Sequence, residues 1–227
     1  MTDVMIGGKR CLLFDTGKPE VLLIQTMGRH EVKGIADEVE MIRRQTDVPF
    51  AMAAFDIADW DRELTPWHDP EVSRRKDVGE GAGKTLQYVF DELLPVLRER
   101  YGQLPVVLGG YSLGGLFSLW AASLTRDFAA VNACSPSLWI RDWLAFAREH
   151  PLKVSVAYMS LGNREELSKN KTISRVGDCV RAEHLLLQEQ LGSDRCTLVW
   201  NEGNHFVHGA ERTALGFAWC LEKLKAR

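Results

Sequence analysis

The sequence lacks the features that would place it in several common protein classes. Its 227 residues contain five cysteines, an odd number with no Cys-x-x-Cys pair, which argues against a disulfide framework and a zinc site. No stretch is long and uncharged enough to span a bilayer, and residues 1–10 contain no signal-peptide core. The formal net charge is -3, so there is no basic excess for nucleic acid. We therefore expect a cytoplasmic protein that binds neither membrane nor nucleic acid.

Two ligand-binding motifs are also missing. His205 and His208 form a His-x-x-His pair without an H-E-x-x-H helix or a compact third ligand, so we predict no metal. Residues 79–85 look like a phosphate loop, but the motif needs its first glycine at position 78, which is Val78. We interpret these glycines as a flexible loop that enters a helix, and we expect no nucleotide or other organic cofactor.

What the sequence does contain is an alternation of apolar strands and amphipathic helices. Hydrophobic residues make up 45% and charged residues 26%, as in ordinary globular proteins. The pattern predicts one α/β domain over residues 1–227, with a mostly parallel central sheet and helices on both faces. The first two strands, joined by residues 16–19, predict a hairpin. The expected strands are 10–15, 20–25, 49–57, 105–109, 128–134, 153–161 and 196–200, and the expected helices are 35–42, 86–98, 113–124 and 180–190.

A Gly-x-Ser-x-Gly motif follows one of these strands and names a nucleophile. The apolar run 106–110 stops at Tyr111-Ser112-Leu113 and continues directly into a helix. A serine on such a tight turn has a strained backbone and an exposed Oγ, and small flanking residues avoid collisions there. Ser112 is therefore the predicted catalytic nucleophile.

In folds with this turn the acid and then the base follow the serine along the chain, each after a later strand. We prefer His205 to His208 as the base because it lies closer to the end of the last strand, in a Gly/Asn-rich turn. The acid should follow strand 153–161, where Glu165 and Glu166 are adjacent; Glu165 is preferred. Asp178 is a more distant alternative.

Acyl transfer also requires two N–H donors for the oxyanion. One is the backbone N–H of Leu113, at the start of the helix. The second should come from the loop after strand 20–25, where the sequence has no His-Gly-Gly-Gly run. Met27 is the predicted donor, with Thr26 as the alternative.

Taken together, these motifs make the chain resemble the putative-esterase branch of the α/β-hydrolases, which includes esterase D-like, feruloyl-esterase-like and siderophore-esterase-like enzymes. The resemblance covers nearly the whole chain. It departs from better-known members because a His-Gly oxyanion signature is missing. The matching segments are 60–67, 109–117, 135–139, 162–166, 203–206 and 211–214.

The resemblance implies an α/β-hydrolase fold without a large cap domain and a serine esterase that acts on a small-molecule ester without a cofactor. It places Trp60, Trp67 and Trp139 near the mouth of the site, and with Tyr111 they are candidate substrate-binding residues; ordinary loop packing is the alternative. Contacts in a homo-oligomer could cover the site. The alternative functions are an acyltransferase or thioesterase with the same triad, a peptidase, and a binding protein without catalysis.

Overall fold

The computed structural model describes residues 1–15, 17–29, 31–75 and 78–225. In this part of the chain, eight strands form one sheet with the order β1-β2-β4-β3-β5-β6-β7-β8. β1 and β4 each pair antiparallel with β2, and the other neighbours are parallel. The strands are β1 (Thr2–Ile6), β2 (Lys9–Asp15), β3 (Val21–Met27), β4 (Phe50–Asp56), β5 (Val106–Tyr111), β6 (Ala130–Cys134), β7 (Val156–Gly162) and β8 (Cys196–Asn201).

The hairpin predicted between the first two apolar runs is wrong. β4 lies between β2 and β3, so these two strands are not neighbours. All seven residues of β3 are buried, which suits a strand with parallel partners on both sides. The actual hairpin joins β1 to β2 through Gly7 and Gly8, both at positive φ (53° and 81°). Two glycines between short strands are the hairpin signal that the prediction missed.

The helices cover both faces of the sheet, as predicted. One face packs against α1 and α8 through apolar residues such as Val39 and Phe217. The other face packs against helices that include α5 and α7, through residues such as Leu116 and Val180. The helices are α1 (Ile35–Gln45), α2 (Trp60–Leu64), α3 (Ala82–Tyr88), α4 (Leu94–Tyr101), α5 (Leu113–Leu124), α6 (Trp143–Glu149), α7 (Val176–Leu191) and α8 (Gly209–Lys225).

The single helix predicted over 86–98 is longer and less regular in the structure. α3 continues through a π-helical turn at Val89–Leu93 into α4. The wide turn ends just before Pro95, whose ring nitrogen carries no hydrogen for a helical hydrogen bond. The loop before α3 also differs from the prediction: a Cβ at Gly79 or Gly81 would lie within 2.6 or 2.0 Å of the backbone of residues 62–68. Gly79 and Gly81 thus permit close packing of the segment that enters α3, and its predicted flexibility stays a prediction.

The edge of the sheet formed by the carboxyl ends of its strands carries no cap domain in the described residues. The connection between β6 and β7, residues 135–155, contains only the short helix α6. All five cysteines are free and buried, as predicted. Within the described ranges, no helix is both long and apolar enough to cross a membrane.

Candidate active site

Ser112 lies at the sharp turn between β5 and α5. Its backbone has φ 59° and ψ −120°, a conformation that is costly for a residue with a side chain. The turn is held by hydrogen bonds from the Ser112 N–H to the Cys134 carbonyl (3.0 Å) and from the Ser137 N–H to the Ser112 carbonyl (3.2 Å). A Cβ at Gly110 would lie 2.6 Å from the carbonyl carbon of Gly114, so only glycine fits where the strand passes the helix.

Three side chains from three different loops form one hydrogen-bonded chain. The Oγ of Ser112 lies 3.0 Å from Nε2 of His205. Nδ1 of the same ring lies 2.7 Å from Oε2 of Glu165. His205 follows β8, and Glu165 begins the short 3₁₀ turn after β7. The three predicted residues therefore meet at the edge formed by the carboxyl ends of the parallel strands.

The Glu165 carboxylate is buried, with 6% of the residue exposed, and is supplied with several donors. Its Oε1 accepts from the Ser135 hydroxyl (2.7 Å), the Gly162 N–H (2.7 Å) and Nη1 of Arg212 (3.0 Å). Burial alone would raise the pKa of Glu165, but the hydrogen bonds from His205, Ser135 and Gly162 together lower it below its ordinary value. The carboxylate is therefore ionised at neutral pH, and it can orient a His205 ring that carries its proton on Nδ1.

Arg212 of α8 connects the acid to the loop that carries the histidine. Only 1% of Arg212 is exposed. Its Nη2 donates to the carbonyls of Glu202 (3.0 Å) and Asn204 (3.1 Å), while Nη1 also reaches the Tyr111 hydroxyl (3.0 Å). Tyr111 in turn donates to the carbonyl of His205 (2.9 Å). Burial raises the pKa of Tyr111 to about 12, so the phenol keeps the proton that this bond requires.

The other candidates for acid and base lie elsewhere. Glu166 forms a two-pronged ion pair with Arg181, at 2.9 and 3.1 Å. Asp178 is exposed and also contacts Arg181, at 3.3 Å. His208 pairs with Glu211 on the surface, at 2.8 Å. Of the two adjacent glutamates, the structure thus brings Glu165 to His205 and directs Glu166 away from it.

The predicted oxyanion donors come from two parts of the chain, the residue directly after Ser112 and the end of β3. Leu113 is the first residue of α5, where backbone N–H groups have no partner inside the helix. Met27 ends β3; its side chain is fully buried, and its carbonyl accepts from the N–H of Ile57 (2.9 Å). Thr26 lies against the first turn of α5, since a Cβ on Gly114 would fall 2.4 Å from its Oγ1. The second donor, predicted at Met27, stays a prediction.

Two cavities of about 450 Å³ each open on either side of Ser112 and His205. Both also contain Phe206, whose ring is 92% exposed and lies between them. The first cavity extends towards α1 and α2, and the second towards the loop after β7. An ester bound at Ser112 would have room for one substituent on each side.

The predicted aromatic residues are divided between these cavities, with one exception. Trp60 and Tyr111 line the first cavity, and Trp139 lines the second. Trp67 lines neither of them. Its ring stacks on Trp143 at a centroid distance of 6.5 Å, and its Nε1 donates to the carbonyl of Arg141 (2.9 Å). These contacts are those of ordinary loop packing, and a role of Trp67 in substrate binding stays a prediction.

Arg212 and Ser135 are part of this arrangement, although the sequence analysis gave neither a role. Arg212 shares a helical stripe, at spacings of four, with the buried residues Gly216 and Cys220, and a charged residue on a buried stripe is the signal that could have identified it. Ser135 has a positive φ of 43°, which the sequence does not reveal. No group of three or more potential metal ligands occurs in the residues that the structure describes.

Comparison with known proteins agrees with this architecture. A family model described as Putative esterase matches residues 35–185, which is more than half of the chain. No curated protein sequence matches. Siderophore hydrolase EstA from Aspergillus nidulans has a TM-score of 0.71 at 18% identity, with 94% of this chain and 90% of that chain covered.

Two further solved structures are similar. An IroE-like serine hydrolase from Shewanella oneidensis has a TM-score of 0.77 at 18% identity and covers 94% of this chain and 76% of its own. The enterobactin esterase FES from Shigella flexneri has a TM-score of 0.65 at 16% identity and covers 96% of this chain and 56% of its own. At identities this low the likeness shows the fold alone, and that fold is the α/β-hydrolase arrangement predicted from the sequence.

Proposed function

The chain belongs to the Putative esterase family and is an enzyme that hydrolyses esters, and from this premise we propose that it does so through an acyl-enzyme on Ser112, with His205 as base and Glu165 as acid. The observation that carries the proposal is the continuous hydrogen-bonded chain from Ser112 Oγ through both ring nitrogens of His205 to Glu165. Such a chain lets the serine lose its proton as it attacks.

In the proposed mechanism, Nε2 of His205 takes the proton from Ser112 as Oγ bonds to the ester carbonyl carbon. The carbonyl oxygen becomes an oxyanion, which the N–H of Leu113 and the predicted second donor at Met27 stabilise. His205 then protonates the departing alcohol, which leaves the acyl group on Ser112. A water molecule that gives its proton to His205 attacks this acyl-enzyme, and the carboxylic acid departs as Ser112 regains its proton.

Supporting contacts favour this assignment over a binding protein without catalysis. Glu165 is ionised and buried beside His205, which stabilises the imidazolium that forms during attack. The strained φ of Ser112 costs stability and directs Oγ into the region between the two cavities. An acyltransferase or thioesterase with the same three residues is the alternative, and it differs only in the group that accepts or carries the acyl chain.

The first prediction concerns the nucleophile and the base. A fluorophosphonate probe should label Ser112, as located by mass spectrometry, and the protein should hydrolyse short 4-nitrophenyl esters. Ser112→Ala should abolish labelling, and Ser112→Ala and His205→Ala should each lower kcat by about 10⁴-fold or more. A wild-type protein that neither labels nor hydrolyses any ester contradicts the proposal. Added alcohols or thiols that capture most of the acyl group would indicate acyl transfer.

Adjacent glutamates provide a matched control for the acid. Glu165→Gln should lower kcat by roughly 10³–10⁴-fold because the amide stabilises the wrong tautomer of His205. Glu166→Gln makes the same chemical change at a surface carboxylate that pairs with Arg181. This variant should leave kcat within about twofold of the wild type. Equal and full activity of both variants would show that Glu165 is not the acid.

A further inference from the structure

The first cavity is acidic on the side formed by α1 and the segment before it. Glu31 and Glu38 both line the cavity that contains Ser112 and His205. None of the described residues lining it is a lysine or an arginine. Two carboxyl groups therefore lie in the wall of the cavity next to the nucleophile, and Glu31 Oε2 accepts a hydrogen bond from the Gly28 N–H (2.6 Å).

Glu38 is buried in a way that leaves part of its hydrogen-bonding capacity unused. Only 3% of the residue is exposed, and Oε1 has no hydrogen-bond partner among the residues that the structure describes. Its Oε2 accepts a long bond of 3.3 Å from the side-chain amide of Gln25, whose own oxygen is also buried and unpartnered. Buried polar atoms normally have partners, so an unpartnered acceptor in the wall of a substrate cavity indicates that a ligand supplies the donor.

When Glu38 is ionised, its Oε1 and the Oε1 of Gln25 are both acceptors, so a partner of this form must donate hydrogen bonds. A primary ammonium group has three N–H donors, a positive charge and no acceptor. The rings of Trp60, Tyr111 and Phe206 line the same cavity, and aromatic faces also attract cations. Charge, donor count and lining therefore favour the same chemical group.

The protonation of Glu38 is consistent with this role. Burial, with a further contribution from the nearby charge of Glu31, raises the pKa of Glu38 to about 8 despite the bond from Gln25. The carboxyl group therefore holds a proton at neutral pH while no cation is present. A bound ammonium would replace that proton and form a charge-assisted hydrogen bond.

We propose that the first cavity selects esters that carry a primary ammonium group, with Glu38 as the residue that binds it. This inference rests on the proposed function, because the ester must react at Ser112. It goes further by naming the substrate class. The ammonium can belong to the acyl or to the alcohol portion, whichever enters the first cavity.

The test compares isosteric esters that differ in one group. 6-Aminohexanoyl and heptanoyl 4-nitrophenyl esters exchange NH₃⁺ for CH₃ on the acyl side, and 3-aminopropyl and butyl butanoates do so on the alcohol side. Rates are corrected for spontaneous hydrolysis. In at least one pair, kcat/KM should be about 10- to 100-fold higher for the ammonium ester, the gain expected when a charged group acquires a hydrogen-bonded partner.

Two variants on α1 locate the effect. Glu38→Gln should reduce the ammonium preference at least about tenfold, because the carboxylate that pairs with the cation is lost. Glu40→Gln makes the same change on the exposed side of α1, where Glu40 pairs with Arg43, and should leave the preference unchanged. Equal rates within both wild-type pairs, or the same preference in Glu38→Gln as in the wild type, would overturn the inference.

A direct binding measurement keeps the inference testable if Glu38→Gln does not fold. n-Butylammonium should protect Ser112 of the wild type from the fluorophosphonate probe at lower concentrations than its neutral isostere 1-butanol. Equal protection by both would also overturn the inference. Labelling of Ser112 and hydrolysis of the neutral esters are read first: if they are intact, only the substrate class has failed, whereas their loss in the wild type contradicts the proposed function itself.

Discussion

Arg212 is the buried cation around which the polar contacts of the site are arranged. One of its terminal nitrogens contacts Glu165, Ser135 and Tyr111, and the other holds two carbonyls of the loop that carries His205. A planar guanidinium can hold both groups at once because its donors point in fixed, divergent directions. Arg212 thus fixes the distance between the acid and the histidine loop, which makes it a positioning residue.

Replacing Arg212 by lysine tests this role while keeping the charge that Glu165 needs. A single ammonium cannot reach both sets of partners, so we expect kcat for a neutral ester to fall roughly 10- to 100-fold, with KM little changed and labelling by fluorophosphonate slowed in parallel. Arg181→Lys, at the exposed ion pair with Glu166, is the matched control. Wild-type rates in Arg212→Lys would show that the guanidinium group is not needed to position Glu165 and the loop that carries His205.

At the scale of elements, the nucleophile depends on how closely β5 approaches α5. The last three residues of the strand are Gly109, Gly110 and Tyr111, and the helix begins with Leu113, Gly114 and Gly115. Small residues on both sides allow the chain to reverse within one residue, at Ser112. The close approach is a backbone contact, which cannot yield as a flexible side chain could.

Gly110→Ala should therefore disturb the turn more than an ordinary glycine substitution. Its Cβ would fall 2.6 Å from the backbone of Gly114, and we expect a loss of roughly 1–3 kcal/mol in the free energy of unfolding, together with slower labelling of Ser112. Gly83→Ala in α3 is the control, because a Cβ at Gly83 would have no described neighbour within 4 Å. This variant should raise the free energy of unfolding by about 0.4–1 kcal/mol. Denaturant unfolding measures both. An unaltered stability in Gly110→Ala would contradict the packing argument.

At the scale of the whole molecule, a buried carboxyl group in the middle of α7 makes the free energy of unfolding depend on pH. Glu183 is 2% exposed and accepts a hydrogen bond from the indole of Trp143 (3.0 Å). Burial raises its pKa to about 7 in the folded protein, whereas the unfolded chain has the ordinary value near 4.5. Between these values the folded state holds a proton that the unfolded state has released, so stability falls as pH rises through this window.

Glu183→Gln should remove this component of the pH dependence. Glu183 adds a slope of at most about 1.4 kcal/mol per pH unit between about pH 4.5 and 7 and no slope below the lower value, where it is protonated in both states. Unfolding free energies at several pH values should therefore decline less steeply in Glu183→Gln than in the wild type. Glu189→Gln, exposed on the same helix, should retain the wild-type slope. Identical slopes in the wild type and Glu183→Gln would show that Glu183 ionises as it does in the unfolded chain.

Local patterns were sufficient for the elements whose signal lies within a few residues. The strand, turn and helix around Ser112 follow from an apolar run interrupted by glycines, and the predicted helix 113–124 has the observed bounds. The hairpin error had a different origin. Nothing within residues 10–25 states that β4, from a later part of the chain, will lie between β2 and β3. Strand order is set by long-range pairing and by burial of both sheet faces.

The sequence by itself determined that Ser112 is presented at a strained turn and that Glu165 or Glu166 and His205 follow it in the order of an α/β-hydrolase, because turn chemistry and chain order are local properties. The choice between Glu165 and Glu166 depended on the tertiary structure. Arg212, 47 residues further along the chain, binds Glu165, whereas Arg181 binds Glu166 and holds it on another side. It also placed Trp60 and Glu38 of α1 in the lining of the cavity that contains Ser112. Contacts between distant segments decide which neighbours a side chain has, and no local pattern encodes them.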